Sequence, residues 1–173
     1  MNEEPVTLRP IAEADLPVLH AMMNDPDALG EFQWYGWRDF GPIRRQFAED
    51  GLLADHRSVL AVESGGAFAG FVSWRQASPR AASAYWNIGV QLRPEARGRG
   101  VGTEAQRQLV AYLFAHTPVM RLEADTEATN LAEQRALEKC GFTREGVQRA
   151  LAFRDGAWRD VVRYSILRTD PRP

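Results

Sequence analysis

A single cysteine, Cys140, stands among the 173 residues, so no internal disulfide can form and a zinc cluster built on cysteines is excluded. A half-buried helix thiol is its expected state. Histidine is scarce as well: His20, His56 and His116 lie far apart with no metal-ligand spacing, and no metal is expected. No apolar run approaches a bilayer span, so no membrane partner is expected. The opening MNEEPVTLRP is acidic and lacks the basic segment and apolar stretch of a secretory signal, from which a cytoplasmic location is expected. Positive charge is not in excess either: the formal net charge of −2 argues against a nucleic-acid partner held on a broad basic surface. No repeat, low-complexity segment or long linker divides the chain. With 45% hydrophobic and 25% charged residues, it reads as one ordinary globular domain spanning 1–173.

What is present alternates between strand-like and helix-like periods. VTLRPI predicts a short strand. EADLPVLHAMMND predicts a helix with Leu16, Leu19, Met22 and Met23 on one face. PDALGEFQWYGWRDF breaks the period and sets aromatic residues between glycines, and GPIRRQFAEDGLL can hold a second short helix. SVLAVES, AFAGFVSWRQA and SAYWNIGVQL, separated by SGG and SPRAA, predict an antiparallel meander. A helix then starts near Thr103, with Ala105, Leu109, Tyr112 and Leu113 on its inner face and Pro118 beyond its end. VMRLEAD is strand-like. NLAEQRALEKCGF spaces Leu131, Gln134, Ala136, Leu137 and Cys140 helically, with Gly141 as C-cap. The tail predicts two strands joined at Asp155-Gly156. The predicted order is β-α-α-β-β-β-α-β-α-β-β.

RGRGVG, Arg97 to Gly102, sits between a strand and a helix and holds three glycines in six residues. A helix N-terminus has unpaired N–H groups and a partial positive charge, and glycine lets an anion approach without a Cβ in the way. A diphosphate suits this arrangement. Two familiar phosphate loops do not fit: the dinucleotide fingerprint needs G-x-G-x-x-G, whereas Gly98, Gly100 and Gly102 are evenly spaced, and the P-loop needs lysine where Thr103 stands.

RGRGVG resembles the R/Q-x-x-G-x-G/A signature of the GNAT acyltransferases, which binds the pyrophosphate of coenzyme A. Asn130 to Phe142, N-x-x-E-x-R-x-L-E-K-C-G-F, resembles the helix beside the pantetheine arm in the same superfamily. The ending GAWRDVVRYSILR, with Trp158 and Asp160, is similar to the Rim-type branch that acetylates protein N-terminal amines and to relatives that acetylate antibiotics. The resemblance implies an α/β (α+β) fold, with a central mixed, mostly antiparallel sheet of about seven strands flanked by about four helices. It also implies direct transfer from acetyl-coenzyme A to an amine, with no acyl-enzyme, and a possible homodimer. By the same resemblance, the cosubstrate is held by Val90, Leu92, Arg97, Gly98, Arg99, Gly100, Val101, Gly102, Thr103, Asn130 and Arg135. The oxyanion donor falls near Gly89 and Val90, where a mid-strand glycine signals an irregularity or close packing.

Three positions depart from the family pattern. Leu137 stands where many members carry a tyrosine acid, Glu133 where Rim-type members carry serine, and Asn87 where a strand carboxylate holds the base water. Glu133 can act as an acid only if burial raises its pKa. The replacement base is Asp125, Glu123 or Glu31, with Asp125 favoured because it ends a strand beside the cleft. Glu31, Phe32, Trp34, Tyr35 and Trp37 occupy the acceptor-loop region, where they either line an amine pocket or pin the loop to the core. The expected partner is a protein N-terminal or small-molecule amine; the alternative is a silent acyl-coenzyme A binding module, made possible by the missing tyrosine and strand acid.

Overall fold

The structure, a computed structural model, describes residues 5–78 and 84–173. It runs β1 (Val6–Pro10), a 3-10 turn (Glu13–Asp15), α1 (Leu16–Met23), α2 (Pro26–Leu29), α3 (Gly41–Asp50), the two-residue β2 (Leu53–Ala54), β3 (Arg57–Ser64), β4 (Ala67–Gln76) and β5 (Trp86–Leu92). After β5 come a short 3-10 turn (Pro94–Ala96), α4 (Val101–His116), β6 (Arg121–Glu127), α5 (Leu131–Lys139), β7 (Thr143–Arg154) and β8 (Ala157–Leu167). The strands form one eight-stranded sheet in the order β1-β3-β4-β5-β6-β8-β7, with β2 hooked onto β3. Its pairings are antiparallel except β5–β6, which is parallel. The β3–β4–β5 meander is the one predicted, and of the SPRAA turn all but Ser78 lies outside the described residues.

Several boundaries differ from the periodicity reading for local reasons. Among the described residues there are five α-helices, one more than the periodicity marks, because α2 forms inside the aperiodic stretch. Asp25 caps α2 by accepting from the Asp27 N–H at 2.9 Å, and Pro26 opens it; a helix of four residues is too short to show a period. Helix α1 starts at Leu16, since Asp15 accepts from Ala12 N–H at 2.8 Å and pairs with Arg9 at 2.6 Å, which tightens Glu13–Asp15 into a 3-10 turn. Helix α4 starts at Val101, ahead of Thr103, because Gly100 takes the N-cap in the left-handed region. Strand β7 begins at Thr143, and its hairpin turns at Asp155 and Gly156 with φ of +50° and +73°.

Side-chain alternation along the strands gives the sheet two unlike faces. On one face α4 and α5 bury Leu109, Leu113, Leu122, Leu137 and Ile166. On the other α1 and α3 cover β3 and β4 around Ala61, Leu16, Leu19 and Phe40. Three expectations need correction here. Tyr112 and Leu131 are exposed, the former leaning on Trp74 at the edge of its helix. Cys140 is fully buried rather than half-buried; its thiol donates to the Thr103 carbonyl at 3.2 Å, and burial pushes its pKa up to about 11. Gly70, with φ +151°, brings β4 onto β5 so closely that a Cβ would stand 2.1 Å from the Gln91 carbonyl oxygen.

Candidate active site

Strands β5 and β6 pair only through Trp86↔Leu122, Asn87↔Glu123 and Ile88↔Ala124. Past that point β5 stays with β4 as far as Leu92, while β6 stays with β8 as far as Glu127. The parting leaves one backbone edge of each strand facing a cleft of about 580 Å³. Gly89 and Val90 lie where the strands separate. The expected irregularity therefore falls between strands and not within β5, which pairs regularly with Ser73 at Gly89. A Cβ at Gly89 would lie 3.5 Å from Ser73 Oγ, an ordinary contact, so close packing does not require the glycine.

The glycine segment forms one wall. Gly98 and Gly100 have φ of +69° and +81°, and a Cβ at either would meet no protein atom within 4 Å. The loop thus presents bare backbone to the cleft at the N-terminus of a 16-residue helix, which fits an anionic diphosphate. Gly98, Gly100, Gly102 and Thr103 line the cleft, as do Val90 and Leu92 across from them. Val101 instead turns into the core at 4% exposure, and Arg99 is exposed outside the cleft lining.

Arg97 also lines the cleft, while its guanidinium reaches back toward β5 and α2. Its Nε and Nη2 donate to the Leu92 carbonyl at 3.0 and 2.9 Å, and Nη2 also donates to the Ala28 carbonyl. The guanidinium crosses Gly30, where a Cβ would be 2.9 Å from Nη1. Gln91 adds a bond from Nε2 to the Leu29 carbonyl at 3.2 Å. Together these struts fasten the segment carrying Glu31 and Phe32 to the end of β5, and both of those residues line the cleft.

On the α4/α5 side, Asn130 caps α5 by accepting from the Glu133 N–H at 3.2 Å, and it lines the cleft with Glu133 and Arg135. Burial pushes the Glu133 carboxyl up to about 7, against an ordinary 4.5. Gln106, buried on α4, acts against this by favouring the charged form, the smaller of the two effects. Leu137 is fully buried in the core.

On the opposite sheet face stand Asn87, Glu123, Asp125 and Glu127. Asp125 reaches the cleft, but its carboxylate accepts from Arg163 at 3.0 and 3.2 Å and from Asn87 at 2.9 Å. Three of its roughly four acceptor positions are thereby taken. Asn87 and Glu123 do not line the cleft; Glu123 is buried and pairs with Arg121 at 2.8 Å. Arg154 on β7 pairs with Glu127 at 2.7 and 2.9 Å, both side chains buried, and lies 5.8 Å over the Phe32 ring. Trp34, Tyr35 and Trp37 stand outside the cleft lining: the two tryptophans pack edge to face at 5.1 Å, and Trp37 is 77% exposed. In the hairpin, Asp160 accepts from the Ala150 N–H at 2.8 Å and braces a bulge where Ala150 has φ +49°, while Trp158 packs on Phe153. Among the described residues no group of three or more His, Cys, Asp or Glu is placed to hold a metal ion, and no helix is long and apolar enough to cross a membrane.

A glycine loop that opens a helix beside a cleft is the arrangement that the resemblance to the GNAT signature implies. The chain belongs to the acetyltransferase (GNAT) domain family, whose family model matches residues 6–143. It is 39% identical over 83 residues to the probable N-acetyltransferase YjcK of Bacillus subtilis, a match covering 48% of this chain and about half, 46%, of that protein. It is 30% identical over 165 residues to the aminoglycoside N(6')-acetyltransferase type 1 of Klebsiella pneumoniae, covering 84% of this chain and 77% of the relative. The fold is shared with the ribosomal L7/L12 alpha-N-protein acetyltransferase RimL solved with coenzyme A: TM-score 0.76, 19% identity, 96% of this chain and 95% of that one. The chain thus carries a GNAT acetyltransferase domain.

Proposed function

We propose that the protein moves an acetyl group from acetyl-coenzyme A to a primary amine, and that the two partners meet through the β5–β6 opening from opposite faces of the sheet. The observation that carries this reading is the sidedness of the cleft. Residues 98–103 and 130–135 lie with α4 and α5, whereas Asp125, alternating with the core residue Ala124 on β6, and Phe32, under the Arg154 that pairs with Glu127, lie on the other side. Acetyl-coenzyme A supplies an acetyl thioester. The residues that would hold it are the amides of Gly98, Gly100 and Gly102, the Thr103 hydroxyl, the β5 edge at Val90 and Leu92, and Asn130, with Arg135 at the rim.

An amine must be neutral to attack, and a departing thiolate must be protonated. Glu133 holds a proton near neutral pH inside the cleft on the α5 side, so it is the donor in this reading. Asp125, anchored by Arg163 and Asn87, keeps one acceptor position with which to orient a water or a cationic amine. Glu31 and the Phe32 ring add negative charge and a π face at the mouth, which suits a cation. The acceptor is a protein N-terminal amine or a small-molecule amine, and the work is cytoplasmic. A homodimer would form on the exposed apolar edge of the hairpin, at Leu151, Phe153 and Trp158.

The test is thiol release from acetyl-coenzyme A across a panel of polyamines, aminoglycosides and N-terminal peptides. Selective turnover on one class is the expected result. Saturable binding without turnover on any acceptor would replace this reading with a silent binding module.

A further inference from the structure

Arg97 stands in the glycine signature, yet three of its five N–H donors are committed to backbone. Nε and Nη2 reach the carbonyl of Leu92, the last residue of β5, at 3.0 and 2.9 Å, and Nη2 also reaches the Ala28 carbonyl in α2. The third nitrogen, Nη1, lies over Gly30, where a Cβ would stand 2.9 Å from it. The stretch that Arg97 reaches has little else to hold it. Across residues 23–39 nothing is buried, between Met22 at 3% exposure and Phe40 at 6%. Helix α2 has four residues and no buried face, and so short a helix has no stability of its own. Its backbone bonds are local: the Leu29 and Gly30 N–H groups donate to the Asp25 and Pro26 carbonyls at 3.0 and 2.8 Å. Polar groups from elsewhere in the fold tie it down. Arg97 holds Ala28, Gln91 Nε2 holds the Leu29 carbonyl at 3.2 Å, and Arg154 lies 5.8 Å over the Phe32 ring. The stretch carries Glu31 and Phe32, both of which line the cleft.

We propose that Arg97 is a positioning residue for the amine acceptor: its guanidinium bridges the end of β5 to α2 and thereby sets where Glu31 and Phe32 stand in the cleft. The inference rests on the acetyl-transfer reading above. A guanidinium suits the task because its donors are fixed in one plane and hold two carbonyls in a set relation, which the point charge of a lysine ammonium does not do. Gly30 belongs to the same device, since the absence of a side chain there leaves room for Nη1. The chain continues from Arg97 directly into Gly98, whose φ of +69° opens the bare loop. Backbone amides of that loop meet the cosubstrate, while the side chain of its first residue fastens the wall that meets the amine. A wall without a buried anchor depends on such a strut for a fixed geometry, and a misplaced wall weakens acceptor binding before it affects the bond-making step.

The test begins with the ligand-free protein. Hydrogen–deuterium exchange read by mass spectrometry follows a peptide spanning residues 25–33 in the wild type and in Arg97→Met, which keeps an apolar stem and removes every donor. Exchange in that peptide is expected to speed up at least about tenfold, while peptides from β3 and β4 exchange as before and show the variant folded. Coenzyme A titrated by calorimetry should bind the two proteins with affinities within about threefold, because the loop amides remain in place. In thiol release with the best amine of the panel above, KM for that amine should rise at least about fivefold with kcat changed less than about twofold, a split that a general loss of folded protein would not produce. Unchanged exchange over residues 25–33, or an unchanged KM for the amine, would overturn the proposal. So would a coenzyme A affinity that falls about tenfold or more in Arg97→Met and returns in Arg97→Lys, since the guanidinium would then be a diphosphate ligand acting by its charge. If the wild type turns over no amine, the acetyl-transfer reading falls, while exchange and calorimetry still decide whether Arg97 is the strut.

Discussion

Replacing Glu133 with glutamine should change stability in a way that depends on pH. In the fold the carboxyl is held at about 7 by burial, against an ordinary 4.5. A carboxyl with a raised pKa binds its proton more tightly in the native state than in the unfolded chain, so stability falls as pH rises through the interval between the two values. Below about pH 4.5 the group is protonated in both states and contributes no pH-dependent term. Above about pH 7 the native state carries the whole penalty. At about 1.4 kcal/mol for each pH unit, the interval from 4.5 to about 7 makes that penalty about 3 kcal/mol, an upper bound because the side chain keeps some contact with water. Glu133→Gln cannot ionise and escapes the penalty. Urea unfolding of both proteins from pH 4 to 9 measures the difference directly, since other titrations are common to the pair and cancel. The variant should match the wild type at pH 4.5, gain progressively, and level off about 2–3 kcal/mol more stable above pH 8, or several degrees in melting temperature for a chain of this size. A difference that is constant with pH, or largest at low pH, would refute the assignment of Glu133 as a half-buried, proton-holding group.

Three further outcomes follow from the packing. Arg154→Met leaves Glu127 buried without its partner and should cost about 3–5 kcal/mol by urea unfolding, with much of the loss recovered in the double variant Glu127→Met/Arg154→Met. Gly70→Ala sets a Cβ 2.1 Å from a backbone oxygen of β5 and should abolish soluble expression or cost more than about 3 kcal/mol, whereas Gly89→Ala, with only Ser73 Oγ at 3.5 Å, should cost less than about 1 kcal/mol. Cys140, buried with its thiol pushed up to about 11, should stay unreactive toward a disulfide reagent at pH 8 and react stoichiometrically once urea unfolds the chain; fast native labelling would contradict its placement.

The parts of this molecule legible in the sequence are those written in local chemistry. Alternation marks the β3–β4–β5 meander, Asp155-Gly156 marks a turn that needs positive φ at both residues, and Gly98 and Gly100 mark the bare loop ahead of α4. The family motifs then point to Glu133 as a substituted position, and burial gives that substitution the proton affinity an acid requires. What stays hidden is set by residues distant in sequence. The parting of β5 from β6 after Ile88 is a property of two strands and appears in neither alone. Arg97 sits in the glycine signature and reads as an anion ligand, yet its guanidinium is committed to carbonyls of β5 and α2, a use that depends on the placement of Ala28. Asp125 is occupied by Arg163 and Asn87, each 38 positions away. Helical spacing also places Tyr112 and Leu131 inward although both are exposed, because period alone marks a stripe without fixing its edges. The aromatic run at Trp34, Tyr35 and Trp37 carries no signal separating a pocket wall from a surface cluster, and it stands outside the cleft lining.

Isothermal titration of coenzyme A into the wild-type protein and into Gly100→Val tests the central claim most directly. Gly100 has φ +81° and open space where a Cβ would go, so a β-branched residue both strains the loop and covers the amides at the start of α4. The account predicts saturable one-to-one binding to the wild type and a loss of at least about tenfold in affinity in the variant, with circular dichroism showing both folded. No binding heat from the wild type, or equal affinity in the two proteins, would contradict it.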